Sequence, residues 1–481
     1  MKKSFLHKLL CLFFILCMCL VKQSYSQGKL KNKLKSSISI IDSSGLSLAN
    51  GTYGNIINGQ SFQQDALTSA NGWQYITYYD AERHVCVGRR KLPSSKWEIV
   101  RLTDYRFSKN KSQQNDAHNT ISIGLCEKDG TIHLSFDQHG GGLNYRVSKT
   151  GILGHPEKVQ WESTLFTPVI NYLEKGKPIL AISYPAFIST PQGNLLFVFR
   201  NGYSGNGDCI LVSYDGSKSK WYNSRTFISG KGIYVDPQAG ASKARNAYLN
   251  NICFDRVGRL HISWTWREIV ASVGNRDICY AYSTDNGDSW LDQKNVRITA
   301  PTSAATTESI DTQTPNILVR RLDRGWGMIN QQSQVIDHNL TPHIVMSHRK
   351  KEGLPGWSKM DDALYFHYYK TGDNWIAQQI PFIGNRPKLL ADKNNNLYLI
   401  FIRKGNFDFI NQGAPLVIVK AKSKNNWADW TSVYESKEHY FNEVQLDVKR
   451  WTADNVLSIM GQALPINIGA ASAIKVIDIK L

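Results

Sequence analysis

The stretch Asp277–Trp290, DICYAYSTDNGDSW, decides the fold prediction because a strand pattern runs directly into a turn motif. Its first half alternates between the two faces of a β-strand. Its second half, Ser283–Trp290, has the Asp-box pattern S-x-D-x-G-x-x-W. Asp285 and Gly287 suit a tight turn, and the large apolar Trp290 follows it. The stretch therefore predicts a turn between the third and fourth strands of a small sheet.

Strands of the same kind recur along the chain, with turn residues between them and almost no helical periodicity. Seven of them follow a turn, at 72–80, 130–137, 193–200, 258–266, 341–348, 395–403 and 454–460. Another strand follows each one, and six units then carry a tryptophan: Trp97, Trp161, Trp221, Trp290, Trp375 and Trp427. Self-similarity of such a long period indicates a propeller or a repeat array.

Seven units of four strands predict an all-β fold, a seven-bladed β-propeller of the sialidase-like type. The last unit ends after three strands, and the segment SSISIID at 36–42 is a candidate for the fourth. Closing the ring with an N-terminal strand would hide the sheet edge that an open ring exposes. We expect a single propeller catalytic domain over residues 27–481.

Residues 1–26 have the pattern of a secretory signal peptide: a basic start, an apolar core and a small-residue end. The apolar run at 9–21 is too short to span a bilayer comfortably, so we expect a secreted protein, extracellular or periplasmic, without a membrane span. Removing the four lysines of this segment lowers the formal net charge from +18 to +14. Such a basic protein suits an anionic partner, whether a sulfated or uronic polysaccharide, nucleic acid or an acidic surface.

Five cysteines remain after residue 26, at positions 86, 126, 209, 253 and 279. Their number is odd, their spacing is wide and no CxxC occurs. This pattern does not indicate a disulfide framework, so the fold must depend on its apolar core.

Several polar residues occupy strand ends that should share one face of the propeller. Strands within a blade are antiparallel, so the connection into the innermost strand and the loop between the second and third strands lie on the same side. His118 and His139 occupy these two places in the second blade. Tyr184 and Arg200 do so in the third blade, and Tyr248 begins the fourth. We expect these side chains to converge.

This set of residues suits β-elimination on a uronic acid better than hydrolysis, because no pair of inward carboxylates is evident. Arg200 would bind the carboxylate and stabilise the charge that develops as the C5 proton leaves. One of His118 and Tyr184 would take that proton, and the other would protonate the leaving oxygen. Neither a metal nor a redox cofactor is required. Structural roles remain open, among them an ion pair between Arg200 and Asp208.

At these same residues the chain resembles the propeller-type ulvan lyases, through DAHNT, FDQHGGGLNYR, SYPAF, FVFRNG and LHISWTWRE. The resemblance covers essentially the whole chain after the signal peptide. It implies a polysaccharide lyase, a carbon–oxygen lyase that leaves an unsaturated uronate on ulvan, a sulfated polymer of rhamnose and uronic acid. We expect a monomer whose anionic partner is this polysaccharide and not nucleic acid. The resemblance implies that His118 and Tyr184 form an acid/base pair and that His139 supports them. It also implies that Arg200, Tyr248 and Asn119 bind the substrate.

The resemblance also implies a structural zinc held by His and Cys. His261 and Cys279 are candidates on neighbouring strands of the fourth blade, with Cys253 nearby. However, relatives often have a His where this chain has Arg276, and no compact ligand spacing exists. A core histidine and a buried structural cysteine are an equally good interpretation.

Two other functions remain open. A sialidase-like glycoside hydrolase would need an arginine triad, a Tyr–Glu pair and an early Arg motif, whereas the chain has only NRPK at 385–388. A non-catalytic propeller that binds glycans would need no acid/base pair. Only a lyase would generate an unsaturated uronate.

Overall fold

The computed structural model describes residues 34–60, 65–108, 115–236, 240–301, 308–350, 363–403 and 413–481. The predicted signal peptide lies outside these residues. The described chain is dominated by strands, and seven sheets form the blades of a seven-bladed β-propeller, as predicted. No helix among the described residues is both long and apolar enough to span a membrane.

The first three blades occupy residues 67–228. Strand β1 (Ser36–Gly45) precedes the first blade, which contains β2 (Leu67–Ala70), β3 (Trp73–Tyr79), β4 (His84–Lys91) and β5 (Glu98–Arg106). The second blade contains β6 (Ile121–Cys126), β7 (Thr131–Phe136) and, after the short β8 (His139–Gly141), β9 (Tyr145–Val147). A hairpin of β10 (Tyr172–Glu174) and β11 (Lys177–Pro178) leads to the third blade, with β12 (Ile182–Ser189), β13 (Leu195–Tyr203), β14 (Asn206–Asp215) and β15 (Lys220–Ile228).

The other four blades follow in chain order. A hairpin of β16 (Tyr234–Asp236) and β17 (Gly240–Ser242) precedes the fourth, with β18 (Asn246–Phe254), β19 (Leu260–Arg267), β20 (Asn275–Ser283) and β21 (Leu318–Arg320). The fifth contains β22 (Ser333–Ile336), β23 (Pro342–His348), β24 (Leu364–Thr371) and β25 (Asn374–Gln379). The sixth contains β26 (Lys388–Ala391), β27 (Leu397–Ile402), β28 (Ala414–Ala421) and β29 (Thr431–Tyr440). The seventh contains β30 (Gln445–Leu446), β31 (Val456–Gln462) and β32 (Ser472–Lys480).

The N-terminal strand closes the ring, as the sequence predicted. β1 pairs antiparallel with β32, from Ser36 opposite Ile479 to Gly45 opposite Ser472. The seventh sheet therefore has the order β1-β32-β31-β30. Because its outer strand comes from the opposite end of the chain, opening the ring would break this ladder.

Among the described residues, one short α-helix, α1 (Val448–Asp454), interrupts the strands, and the sequence analysis missed it. The side chain of Asp447 accepts a hydrogen bond from the backbone N–H of Arg450 and caps the first turn. Asn455 ends the helix in a left-handed conformation. Two turns are too short to produce a clear helical period, which explains the omission.

The hydrophobic core is divided among the interfaces between neighbouring blades. One cluster joins β6 and β7 to the first blade, another joins the third and fourth blades, and a third joins the seventh blade to the first. Most blade strands are therefore buried on both faces, which makes them read as apolar runs.

The Asp-box forms the predicted turn after β20. Ser283 Oγ lies 2.7 Å from Asp285 Oδ1, and Asp285 accepts the backbone N–H of Ser289 at 2.8 Å. Trp290 is 1% exposed, and its ring stacks on that of Phe227 in the third blade at 5.5 Å. The motif stabilises the interface between the third and fourth blades and lies outside the candidate site.

Candidate active site

A cavity of about 650 Å³ opens where the segments entering the innermost strands meet. Every blade contributes at least one residue from such a segment or from a neighbouring loop. Its wall includes Tyr53, Gln60, His118, His139, Tyr184, Ser204, Tyr248, Arg267, Asn330, Gln331, Arg386 and Glu443. The structure thus brings together four residues that the sequence analysis singled out: His118, His139, Tyr184 and Tyr248.

A buried carboxylate joins the two histidines. Asp116 Oδ1 accepts from His118 Nδ1 at 2.9 Å, and Asp116 Oδ2 accepts from His139 Nδ1 at 2.8 Å. The imidazole rings stack with centroids 4.3 Å apart and planes 17° apart. Because Asp116 accepts at both Nδ1 atoms, the acceptor lone pair of each neutral ring is on Nε2. The sequence analysis missed Asp116, although it lies in the quoted DAHNT motif.

His139 reaches this position because its loop departs from the four-strand pattern of the second blade. β8 leaves that sheet and pairs with β12, so His139 lies opposite Ser183. The backbone N–H of Gly140 donates to Ser183 Oγ at 2.9 Å, and Gly140 has a φ of 80° that favours glycine. The glycine-rich loop therefore holds His139 against the third blade through hydrogen bonds.

Tyr184 is held in a strained backbone conformation beside the histidines. It lies at a register shift between Ser183 and Ala186, and its φ is 56°, in the left-handed region. Non-glycine residues in that region are uncommon and concentrate at functional sites. The shift places Tyr184 Oη 3.4 Å from Nε2 of His139, and the His118 ring is 6.0 Å from the Tyr184 ring.

Burial sets the protonation states of this group. It lowers the pKa of His118 to about 4, although the hydrogen bond to Asp116 opposes the shift. Burial raises the pKa of Tyr184 above its ordinary value. Burial also acts to raise the pKa of Asp116, but the hydrogen bonds from His118 and His139 outweigh it and lower the pKa. Near neutral pH the site therefore holds a carboxylate, a neutral His118 and a protonated phenol.

Arg200 does not line the cavity, contrary to its predicted direct contact with substrate. It is 5% exposed and lies behind two tyrosines, with its guanidinium carbon 4.9 Å from the Tyr184 ring centroid. Its Nη2 donates to Ser183 Oγ at 2.9 Å, and its Nη1 donates to Tyr248 Oη at 3.2 Å. Asp208 is not its partner, since that carboxylate accepts from the backbone N–H of Gly230 at 2.7 Å.

Two other arginines face the cavity instead, and the sequence analysis assigned them no role. Arg267, in WTWRE, donates from Nη1 to Tyr248 Oη at 3.1 Å and from Nη2 to Asn330 Oδ1 at 2.8 Å. Arg386, in NRPK, pairs with Glu443 at 3.0 Å. Both motifs are visible in the sequence, but the sequence alone does not show which arginine side chains reach the cavity.

Tyr53 lies at the mouth of the cavity and was also missed. Its side chain is 64% exposed, and its ring meets the His118 ring edge-on at 4.4 Å. An exposed aromatic ring beside the imidazole of His118 suits stacking on a sugar. The loop GTYGN around it carries no strand pattern, so the sequence offered little signal for it.

Asn119, predicted to bind substrate, is 1% exposed and is absent from the residues that line the cavity. Its backbone N–H donates to the carbonyl of Asp116 at 3.1 Å, and its carbonyl accepts from Tyr79 Oη at 2.9 Å. The structure therefore places Asn119 in the turn that supports Asp116 and His118, behind the cavity wall.

The predicted zinc ligands do not come together. His261 lies opposite Tyr282, three residues from Cys279 along β20, so the His261 and Cys279 side chains lie on opposite faces of the sheet. His261 Nδ1 forms a hydrogen bond with Tyr280 Oη at 2.6 Å, and His261 Nε2 forms one with Asp255 at 3.0 Å. Cys279 packs into the apolar cluster between the third and fourth blades. These contacts do not fit a shared metal ion.

Among the described residues, one group has metal-ligand spacing: Asp116, His118 and His139, whose ligand atoms lie within 4.8 Å of one another. The same distances are hydrogen-bond distances between each Nδ1 and Asp116. Hydrogen bonding is therefore sufficient to explain how this group is held together.

Comparisons with known proteins agree with this fold. The ulvan lyase, long isoform, of Pseudoalteromonas sp. (strain PLSV) is 24% identical over 274 residues, which cover 48% of this chain and 26% of that protein. The chain thus spans about a quarter of the length of this relative. The crystal structure of the polysaccharide lyase Uly1 superposes with a TM-score of 0.70 at 17% identity, over 94% of this chain and 100% of that one.

A PL25 ulvan lyase bound to -[GlcA(1-4)Rha3S]- superposes with a TM-score of 0.62 at 12% identity, over 92% of this chain and 95% of that one. At such identities the likeness shows the fold. A family model described as "BNR repeat-containing family member" matches residues 73–383, which is more than half of the chain. The chain therefore belongs to the BNR repeat-containing family.

Proposed function

We propose that the protein is a secreted polysaccharide lyase that cleaves ulvan by β-elimination at a uronic acid. The observation that carries the proposal is the arrangement of Asp116, His118, His139 and Tyr184 in one cavity. The names of the relatives support ulvan as the substrate, and the basic sequence suits a sulfated polymer. The signal pattern at 1–26 supports secretion.

His118 is the base in this proposal. Its low pKa keeps the ring neutral near neutral pH, and Asp116 accepts at Nδ1, so Nε2 carries the lone pair. As the ring takes the C5 proton it becomes positively charged beside the Asp116 carboxylate. The negative charge of Asp116 stabilises the imidazolium and favours the proton transfer.

Tyr184 is the acid. Burial keeps its phenol protonated, so it can donate to the glycosidic oxygen as the C4–O4 bond breaks. His139 Nε2, 3.4 Å from Tyr184 Oη, accepts from the phenol and orients it. After product release, solvent takes the proton from His118 and returns one to Tyr184. The electron pair of the C5–H bond forms the C4–C5 double bond, and the leaving oxygen keeps the proton from Tyr184.

Arg267 is better placed than Arg200 to hold the uronate carboxylate, because Arg267 lines the cavity. A guanidinium there would stabilise the enolate-like charge that develops when C5 loses its proton. Arg200 would act through Tyr248 and Ser183, both of which accept from it. Arg386 adds a second cation at the wall, partly balanced by Glu443.

Incubation with ulvan tests the proposal. A lyase produces the ultraviolet absorbance of an unsaturated uronate, together with new reducing ends. New reducing ends without that absorbance would indicate a hydrolase, and binding without either would indicate a glycan-binding propeller. Both of these outcomes contradict the proposal. His155→Ala is a matched control for histidine variants, because its side chain is 68% exposed outside the cavity.

A further inference from the structure

Tyr248 lies between two arginines, and its hydroxyl oxygen is bonded to both. Nη1 of Arg200 donates to Tyr248 Oη at 3.2 Å, and Nη1 of Arg267 donates to the same atom at 3.1 Å. The guanidinium carbons of Arg200 and Arg267 lie 5.8 Å and 4.2 Å from the centroid of the Tyr248 ring. The phenol oxygen therefore faces two positive groups at once.

Both arginines are buried, and in the described part of the chain their other hydrogen-bond partners are uncharged. Arg200 is 5% exposed and donates to Ser183 Oγ. Arg267 is 8% exposed and donates to the amide oxygens of Asn275 and Asn330, each at 2.8 Å. A buried cation is costly unless an anion compensates it.

Other buried arginines of the fourth blade region have a carboxylate as that anion. Arg245 and Arg276 both contact Glu268, at 2.9 Å and 2.7 Å. At the cavity wall, Arg386 pairs with Glu443. For Arg200 and Arg267 the shared atom is the oxygen of Tyr248, which lies where a carboxylate lies in these pairs.

Within the described ranges, the other groups around this trio supply no negative charge. The Tyr184 ring lies 5.8 Å from the Tyr248 ring, and burial raises the pKa of Tyr184. Burial raises the pKa of Cys209, beside Arg200, to about 12. Ser204 Oγ lies 3.1 Å from Tyr248 Oη and 3.0 Å from the carbonyl oxygen of Val270, so its hydroxyl can donate to either oxygen.

Tyr248 itself responds to the two cations. Burial acts to raise its pKa, but Arg267 and Arg200 outweigh that effect, so the pKa of Tyr248 lies below its ordinary value. Arg386, which also faces the cavity, acts to lower the pKa of Arg267. Among the titratable groups that contact the two arginines, Tyr248 is therefore the one that can compensate their charge.

We propose that Tyr248 is a phenolate in the unliganded protein, the internal counter-ion that Arg200 and Arg267 share. Two guanidiniums and one phenolate have a net charge of +1 at the wall of the cavity. One carboxylate would neutralise this charge, so ionised Tyr248 makes the site suited to a monoanionic group. The inference concerns the unliganded site and does not depend on the reaction proposed above.

Ultraviolet difference spectroscopy tests this assignment without any polysaccharide. The chain has 22 tyrosines, and ordinary ones ionise at a pKa of about 10. The spectrum of the wild type minus that of Tyr248→Phe, near neutral pH, should show the band of one tyrosinate. Tyr184→Phe, the matched control, should retain the band, and Arg267→Gln should raise its titration midpoint by about one pH unit or more.

Carbon-13 NMR of tyrosine-labelled wild type provides a second readout that does not require a variant to fold. One phenolate Cζ resonance should be present near neutral pH. The proposal is overturned if the wild type shows no phenolate signal by either method near neutral pH. It is equally overturned if Tyr184→Phe, and not Tyr248→Phe, removes the signal.

Discussion

His139 Nε2 lies 3.4 Å from Tyr184 Oη, although 45 positions and a change of blade separate the two residues. The contact exists because β8 leaves the second blade and pairs with β12 of the third. A histidine from one blade and a tyrosine from the next thus lie within hydrogen-bond distance. Asp116 extends this pair to His118 and makes the four groups a single unit.

Asp116→Asn should lower kcat by about 10²-fold or more while leaving the fold intact. The amide removes the charge that stabilises a protonated imidazole, and it no longer favours the Nδ1–H tautomer of both rings. Initial rates on ulvan, with circular dichroism as the control for folding, measure the effect. A variant with wild-type turnover would show that the histidines work without this carboxylate.

Arg267→Lys and Arg200→Lys should change KM and kcat differently. Lysine replaces the planar fork of a guanidinium by a point charge. At Arg267, which faces the cavity, we expect a higher KM and a lower kcat. At Arg200, which donates to Tyr248 and Ser183 behind the cavity wall, we expect mainly a lower kcat. Identical kinetics for Arg267→Lys and the wild type would place the carboxylate elsewhere.

Stability should fall as the pH falls below about 6.5, the pKa of an unfolded histidine. Burial lowers the pKa of His343 and of His367, whose rings share a hydrogen bond of 2.9 Å in the fifth blade. The unfolded chain therefore binds more protons than the folded chain in this range, so acid favours unfolding. Each such histidine contributes a slope of about 1.4 kcal/mol per pH unit.

Urea unfolding at several pH values measures this slope. The variant His343→Gln/His367→Gln should have a shallower dependence than the wild type, whereas His155→Ala, at an exposed site, should not change it. An equal slope in the double variant would show that the buried pair does not control acid stability.

Treatment with a chelator should leave activity on ulvan unchanged. The proposed chemistry uses side chains alone, and His261 and Cys279 lie on opposite faces of their sheet. Metal analysis before and after treatment, together with rates, checks this expectation. Loss of one bound zinc per chain together with loss of activity would contradict it.

The blades could be predicted from sequence because a buried strand and its turn leave a local pattern, as in Asp277–Trp290. The meeting of His118, His139 and Tyr184 followed from topology, since strand order determines which loops share a face. The positions of Arg200 and Arg267 relative to the cavity did not follow. Which guanidinium reaches the cavity depends on strand register and on the left-handed bulge at Tyr184, and neither leaves a periodic signal.

Asp116 and the zinc candidates show the same limit. Asp116 was in view within DAHNT, but a short polar residue next to a histidine looks like an ordinary turn. His261 and Cys279 lie on paired strands, and only their register shows that they face opposite sides. Side-chain direction, more than strand content, separates the predicted site from the observed one.

The production of unsaturated uronate from ulvan by the wild type and by Tyr184→Phe tests the central claim most directly. We predict that the wild type generates the ultraviolet chromophore and that Tyr184→Phe, which lacks only the phenolic oxygen, generates none while retaining the same circular dichroism spectrum. Chromophore formation by Tyr184→Phe at the wild-type rate would contradict the account.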